Sequence, residues 1–496
     1  MNMELKRTAR AQVPGGRFLA GPSGALLALL AMGVIFYLST YWSTTDQLPS
    51  SVPVHHDDYS NYGSGGNAWA WVWIRPFSTL LIQALAQMGP EWLIWSMRLL
   101  AVVFVFLNWK LLCEVVRPAH NWLVLILFTV ACFASPVIVE YARYTGMSTH
   151  LLSGCFGVAA AWAVLREISE PRRGYLPLSL ALLVLSVLAK EDFVVLYGVS
   201  AVYAVIRSPA GRARIIAWTA LALVICAVLI AGAKFMAASS FLGMSGSSSP
   251  YFIDATPWGI ARTMWRYLLG AGHPAMHTHG ILISLMFICT AAAALWIAVR
   301  HKRLPTTAFL VVAMLSVMLP YSVLPNHVNA YYELIWLPLL LASVYAALYE
   351  LTLPAASSGA GRRVSAGTLI FLLLIVLLST VDYAKRRSIA AWYDEVGSSN
   401  RHALQLLQDQ KEAINQAGKV CILGANAFSP WYMHGGSYLR HVMGVHATWY
   451  VLIDPASSLQ AGMQSGALSS AGHTVVVDSR DKMPVPCLTI NLEQVK

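Results

Sequence analysis

The sequence predicts a polytopic α-helical membrane protein of about eleven spans, with a small C-terminal α/β domain outside the membrane. Three observations carry that reading. Of the 496 residues, 57% are hydrophobic and only 11% are charged, less than half of the roughly 25% charge of an ordinary soluble domain. The apolar residues fall in runs long enough to cross about 30 Å of hydrocarbon. The cations concentrate in every second loop between those runs. Such a composition excludes an ordinary cytosolic enzyme, a disordered chain and a collagen-like fibre.

Spans are expected near 24–42, 92–113, 119–138, 148–165, 174–189, 193–207, 215–236, 279–299, 305–322, 331–350 and 366–383. The first follows a basic tail and is long, so it reads as a retained span and not as a cleaved signal peptide. Runs 174–189 and 193–207 are short and meet at Lys190-Glu191-Asp192, which suggests broken or re-entrant helices. With the N-terminus in the cytoplasm, the inside segments carry Lys6, Arg7, Arg10 and Arg17; Lys110 and Arg117; Arg166, Arg172 and Arg173; Arg207, Arg212 and Arg214; Arg300, Lys302 and Arg303; Arg362 and Arg363. That is the bias the positive-inside rule requires. The net charge of +11 is thereby assigned to membrane orientation, and no nucleic-acid partner is implied. An odd span count puts the C-terminus outside. Lys385-Arg386-Arg387 breaks the pattern; it reads as a cluster snorkelling to headgroups or holding a phosphate, and it argues against the last span.

The chain divides into a membrane domain, 1–387, with outside loops 43–91 and 237–278, and a soluble outside domain, 388–496. In the latter, residues 400–416 have helical periodicity, while Lys419-Val420-Cys421-Ile422-Leu423, 473–477 and 488–490 read as strands. Of seven cysteines, Cys113, Cys132, Cys155, Cys226 and Cys289 fall in spans and read as small buried hydrophobes. Cys421 and Cys487 are the two in the outside domain, and an oxidising compartment predicts a disulfide between them.

The residues suited to chemistry gather on the outer side. The first outside loop carries His55-His56-Asp57-Asp58-Tyr59-Ser60, then a tryptophan-rich stretch with Trp71 that ends at Arg75-Pro76. In an irregular loop, adjacent carboxylates diverge, so one can act as general base to an acceptor hydroxyl while its neighbour binds a metal or orients the backbone. A solvated acidic loop is the competing reading, and the tryptophans also fit an interfacial helix. Further clusters are Glu140-Tyr141-Ala142-Arg143-Tyr144, Lys190-Glu191-Asp192, and His327 with Tyr331 at the start of the tenth span. Ionisable groups at the hydrocarbon boundary are usually paired or functional. Arg143, Lys190 and His327 are candidates for holding a lipid-linked phosphate, against structural ion pairing as the alternative. Arg262 and Arg266, four apart on an amphipathic helix over 257–269, offer a second phosphate-contacting face. His273, His277 and His279 cluster, but Gly and Pro interrupt them, which weakens a zinc reading. No phosphate-binding GK[ST] loop and no dinucleotide fingerprint occur, which disfavours a nucleotide-driven pump.

Together these motifs resemble the GT-C membrane glycosyltransferases, which move a sugar from a polyprenyl-phosphate donor on the outer face. The resemblance rests on the Asp57-Asp58 pair after the first span, on Glu140-Tyr141-Ala142-Arg143-Tyr144, on Leu188-Ala189-Lys190-Glu191-Asp192, and on Asp57-Asp58-Tyr59 followed by Arg75-Pro76, which is similar to bacterial O-antigen glucosyltransferase-like members. It covers roughly residues 20–385. It implies an inverting transferase of the bacterial inner membrane, with a periplasmic C-terminal domain and a glycolipid, polysaccharide or protein of the cell envelope as acceptor. Asp57 or Asp58 would be the base, Asp57 the favoured one. Arg143, Lys190, His327, Arg262 and Arg266 would face the donor phosphate. Tyr59, Glu140, Tyr144, Glu191, Asp192, Trp71, Arg75 and Tyr331 would line the acceptor or sugar side. A divalent cation (Mg, Mn or Ca) is optional, with Asp58 its candidate ligand. The rival reading is a lipid or solute transporter, which would place its ionisable groups near the bilayer midplane.

Overall fold

The computed structural model describes residues 22–43, 75–88, 90–116, 121–135, 138, 148–171, 174–241, 252–270, 277–302, 304–326, 328, 332–352, 370–375, 403–424, 444–452, 474–477 and 479–492. The protein is mostly helical. In chain order the helices are α1 (Pro22–Ser43), α2 (Pro76–Met88), α3 (Pro90–Val116), α4 (Asn121–Ala134), α5 (Ser148–Ser169), α6 (Tyr175–Ala189), α7 (Val194–Arg207), α8 (Arg212–Phe241), α9 (Pro257–Leu268), α10 (His277–His301), α11 (Thr306–Ser322), α12 (Glu333–Thr352) and, beyond the membrane part, α13 (Lys411–Ala417). Stretches of α3, α5, α8, α10 and α12 are long and apolar enough to cross a membrane, and α1, α4, α6 and α11 contain shorter apolar stretches. The chain is a multi-pass membrane protein. The expected eleventh span, 366–383, is described only over 370–375, which is helical.

Burial separates central from peripheral helices. In α12 and α5, 78% and 72% of the span-forming stretch is buried inside the protein, against 17% in α8. Peripheral α10 turns Ile281, Leu285, Ile288, Leu295 and Val299 outward, an apolar stripe at helical spacing that suits lipid contact. Helices α6 and α7 have 15 and 14 residues, so each covers only about 22 Å. They join at the sharp break that the Lys190-Glu191-Asp192 interruption suggested.

Polar groups collect at the two ends of the bundle. At one end, Arg166 donates to Glu114 at 2.9 Å and also meets Glu170, Ser169 donates to Glu114 at 2.6 Å, and Arg214 pairs with Glu167. At the same end the Glu350 carboxylate accepts from the backbone N–H groups of Thr306 and Thr307 at 3.0 and 3.1 Å. That satisfies donors which the first turn of α11 leaves without helical partners. The other end of the same helices carries the site described below.

The C-terminal region forms a second hydrophobic core around a parallel sheet of β1 (Lys419–Leu423), β2 (Thr448–Leu452), β3 (Thr474–Val477) and β4 (Leu488–Asn491), in the order β3-β2-β1-β4. β1 pairs with both β2 and β4. Its three middle residues are buried, as expected of a strand covered on both faces. The strand β2, with sequence TWYVL, was not anticipated. Cys421 on β1 is joined to Cys487 by a disulfide with a Cα–Cα distance of 5.9 Å. Closing a loop of 66 residues contributes about 4 kcal/mol by constraining the unfolded chain. Helix α2 touches both cores: Ile82 is buried with Leu404, Leu407 and Trp449, while the Ser78 Oγ donates to the Ala189 carbonyl at the end of α6, at 3.0 Å.

Candidate functional site

The site is built on the break between α6 and α7. The helix stops because Lys190 adopts an extended backbone (φ −169°, ψ 150°), and Glu191–Phe193 then form a single 3-10 turn. Ending a helix at the edge of hydrocarbon strands carbonyl groups that must find donors. Ser78 supplies one to Ala189, and Ser153 Oγ supplies another to Lys190 at 2.6 Å. The turn is seated by Phe193, which is fully buried and lies against two glycines of α5. A Cβ on Gly157 would stand 2.2 Å from the Phe193 Cβ, and one on Gly154 would stand 2.7 Å from the Phe104 ring. Gly157→Ala should therefore displace Phe193 and cost about 1–3 kcal/mol, with a parallel loss of activity. Thermal unfolding in detergent measures it, and an unchanged midpoint would show that the turn does not depend on this contact.

The turn delivers Lys190 and Asp192 to His150, the third residue of α5. His150 Nδ1 lies 2.7 Å from Asp192 Oδ2, and its Nε2 lies 2.6 Å from Lys190 Nζ. With the ring proton on Nδ1, the imidazole donates to the carboxylate and accepts from the ammonium, which fixes the tautomer. Tyr321, near the end of α11, places its hydroxyl 2.9 Å from His150 Nδ1 and its ring 5.7 Å below the Lys190 ammonium. Tyr332 stacks on Tyr321 at 4.1 Å and meets the His150 ring edge-on at 5.4 Å. Tyr267, Met318 and Trp336 pack around this tyrosine pair, and all five side chains are buried. Beside Tyr332, the Glu333 carboxylate lies 2.5 Å from the Nε2 of buried His279.

The electrostatics follow from burial and neighbours. Lys190 is pulled down to about 8, by burial first and by the nearby Arg75 guanidinium as well, against the opposing pull of Asp192. Asp192 is held below the usual carboxylate range. Burial alone would raise it, but Lys190 and the hydrogen bond from His150 outweigh that cost. The structure thus brings Lys190, Asp192 and Arg75 to one place, with half-buried Glu191 beside them. Lys190, Arg75 and Asp192 place two positive charges and one negative charge in a partly water-excluded setting, where charge pairing is stronger than in water.

The other sequence-derived candidates are distributed differently. On α9, Arg266 donates to the Pro325 carbonyl at 2.6 Å, and Arg262 is exposed on the helix face opposite buried Thr263 and Tyr267. Asp57, Asp58, Tyr59, Trp71, Glu140, Arg143, Tyr144, His327 and Tyr331 lie outside the described residues. His150 and Tyr321 were not singled out from the sequence, and Tyr332 stood there only as a member of the cluster 325–333 that opens the tenth span. A histidine one turn into an apolar run, facing a lysine and an aspartate at the next helix break, was the signal available for the first.

No family model and no curated protein matches the chain. Solved structures that are similar to it over most of its length include two of one protein. The crystal structure of ArnT from Cupriavidus metallidurans bound to undecaprenyl phosphate covers 92% of this chain and 90% of its own, at 13% identity and a TM-score of 0.48. The apo form of the same ArnT covers 91% and 88%, at 15% identity and a TM-score of 0.45.

Proposed function

We propose that this protein is an inverting GT-C-type glycosyltransferase that moves a sugar from a polyprenyl-phosphate donor to a glycolipid, polysaccharide or protein of the cell envelope. In this reading it sits in a bacterial inner membrane with about eleven spans. Its site and C-terminal domain face the periplasm and its N-terminus faces the cytoplasm. The observation that carries the proposal is the convergence of Lys190 and Arg75 at one end of the bundle, with Lys190 held in place by His150 and Asp192. A base from the Asp57-Asp58 pair takes the proton of the acceptor hydroxyl, whose oxygen attacks the anomeric carbon. The bond from that carbon to the donor phosphate breaks on the opposite face, and its electron pair leaves with the phosphate. Lys190 and Arg75 then stabilise the negative charge that builds on the departing group. Arg75, first read as an acceptor contact, is reassigned to the phosphate side because its positive charge lies near enough to Lys190 to disfavour the ammonium.

The placement of these groups favours this reading over a transporter. His150 is near the start of α5, Tyr321 near the end of α11 and Tyr332 just before α12. They lie at helix ends, whereas carrier sites sit near the bilayer midplane. Purified protein in nanodiscs, given a panel of polyprenyl-phosphate sugars, should consume one donor, release polyprenyl phosphate and yield a product of inverted anomeric configuration. Movement of labelled donor between leaflets with no donor consumed would sink the proposal.

A further inference from the structure

We infer that α9 is a headgroup-level membrane anchor whose exposed face binds anionic phospholipid. Its sequence starts a helix firmly. Thr256 caps it by accepting from the Gly259 N–H at 3.1 Å, Pro257 occupies the first turn, and Asp254 accepts from the Thr256 N–H at 3.0 Å. One face, Gly259, Thr263 and Tyr267, is buried on the bundle. The opposite face presents Trp258, Arg262 and Trp265 at i, i+4 and i+7, with Trp258 77% exposed and Ile253, just upstream, 64% exposed. Two large aromatic rings flanking a guanidinium are unusual on a water-facing helix. They are the chemistry that partitions to the membrane–water boundary, where indole takes the apolar side and arginine meets phosphate.

The depth of α9 is set independently of its composition. Its C-terminal end packs so closely on α10 that a Cβ on Gly280 would stand 2.1 Å from the Leu269 carbonyl carbon. The outward apolar stripe of α10 begins one residue later, at Ile281. At the other end, Asp254 N–H donates to the Val323 carbonyl at 2.9 Å, just past the end of α11, and Arg266 holds the Pro325 carbonyl. The helix is therefore clamped to the ends of two membrane helices, level with the edge of their lipid-facing surface. The exposed face could take either a protein or a lipid surface. Its continuity with the α10 stripe and its cation decide for an anionic headgroup layer.

The test uses the full-length protein in nanodiscs of phosphatidylcholine with a minor fraction of phosphatidylglycerol. A photo-crosslinking residue is placed at one position at a time, as Trp258→p-benzoylphenylalanine, and adducts are read by mass spectrometry. Lipid adducts should form at position 258 and be absent at position 485, where Val485 of the C-terminal region is 96% exposed and serves as the water-facing control. Adducts at 258 should favour phosphatidylglycerol by about five-fold over its share of the lipid, the enrichment expected from one cation at the surface. Arg262→Gln should abolish that preference and leave the phosphatidylcholine adduct. Yields at 258 no higher than at 485 would overturn the anchor. An unchanged phosphatidylglycerol preference in Arg262→Gln would overturn the anionic-lipid assignment.

Discussion

Lys190→Met should lower kcat/KM for sugar transfer by about 10²–10³-fold, the usual loss when one preorganised donor to developing negative charge is removed. The side chain is nearly buried, so the variant loses the ammonium in a place where water cannot substitute for it. Lys190→Arg keeps the charge and should retain part of the activity. The two variants separate through pH. With its pKa pulled down to about 8, Lys190 is an ammonium below that pH and a neutral amine above it. Transfer that needs the ammonium must therefore fall as pH rises through about 8, where an ordinary lysine would hold its charge to about 10.4. A bound donor phosphate stabilises the ammonium, so the alkaline limb of kcat should lie above that of kcat/KM, which reports the free enzyme. In Lys190→Arg the limb should disappear, because a guanidinium does not lose its proton in this range. Paired pH profiles of kcat and kcat/KM check this. An alkaline limb that survives in Lys190→Arg belongs to another group and removes Lys190 from its role.

Much of this site was legible in the sequence, for reasons visible in particular residues. Three consecutive ionisable residues inside an apolar run, Lys190-Glu191-Asp192, cannot continue a lipid-facing helix, and the structure breaks there. The amphipathic helix over 257–269 was equally readable, and the structure forms it over Pro257–Leu268. What escaped notice depends on contacts between segments distant in sequence. His150 gains its meaning only from Asp192 and Lys190, some 40 positions away. Tyr321 and Tyr332 look like interfacial aromatics until their rings are seen stacked beside that histidine. Strand β2 was missed although it is as long as β1; what establishes it is its pairing with β1, 29 positions away in register. Local pattern identifies where a helix must end; which side chains then meet is set by the packing of α5, α6, α11 and α12.

Asp57→Asn and Asp58→Asn should differ in a way that identifies the base. Asparagine matches aspartate in shape but cannot accept the acceptor's proton, so the variant at the base should lose about 10²–10⁴-fold in kcat while donor KM changes little. The loss should shrink for acceptors with a more acidic hydroxyl, which need less help to ionise. If the second carboxylate ligates a divalent cation instead, its asparagine variant should recover activity as that cation is raised, since a weakened oxygen ligand lowers affinity and leaves the proton-transfer step intact. Asp57 is expected to show the first behaviour and Asp58 the second. The acid limb of the rate profile gives an independent reading. A carboxylate base must be ionised, so wild-type activity should rise as pH climbs through the carboxylate range and fall again as Lys190 deprotonates, giving a bell. Asp57→Asn should flatten the acid side alone, and Lys190→Arg the alkaline side alone. Each limb would then be tied to a separate residue, one in the sequence segment before Arg75 and one at the α6–α7 break. Near-wild-type turnover in both asparagine variants would leave the acceptor without a base from this loop and end the glycosyl-transfer reading in its present form.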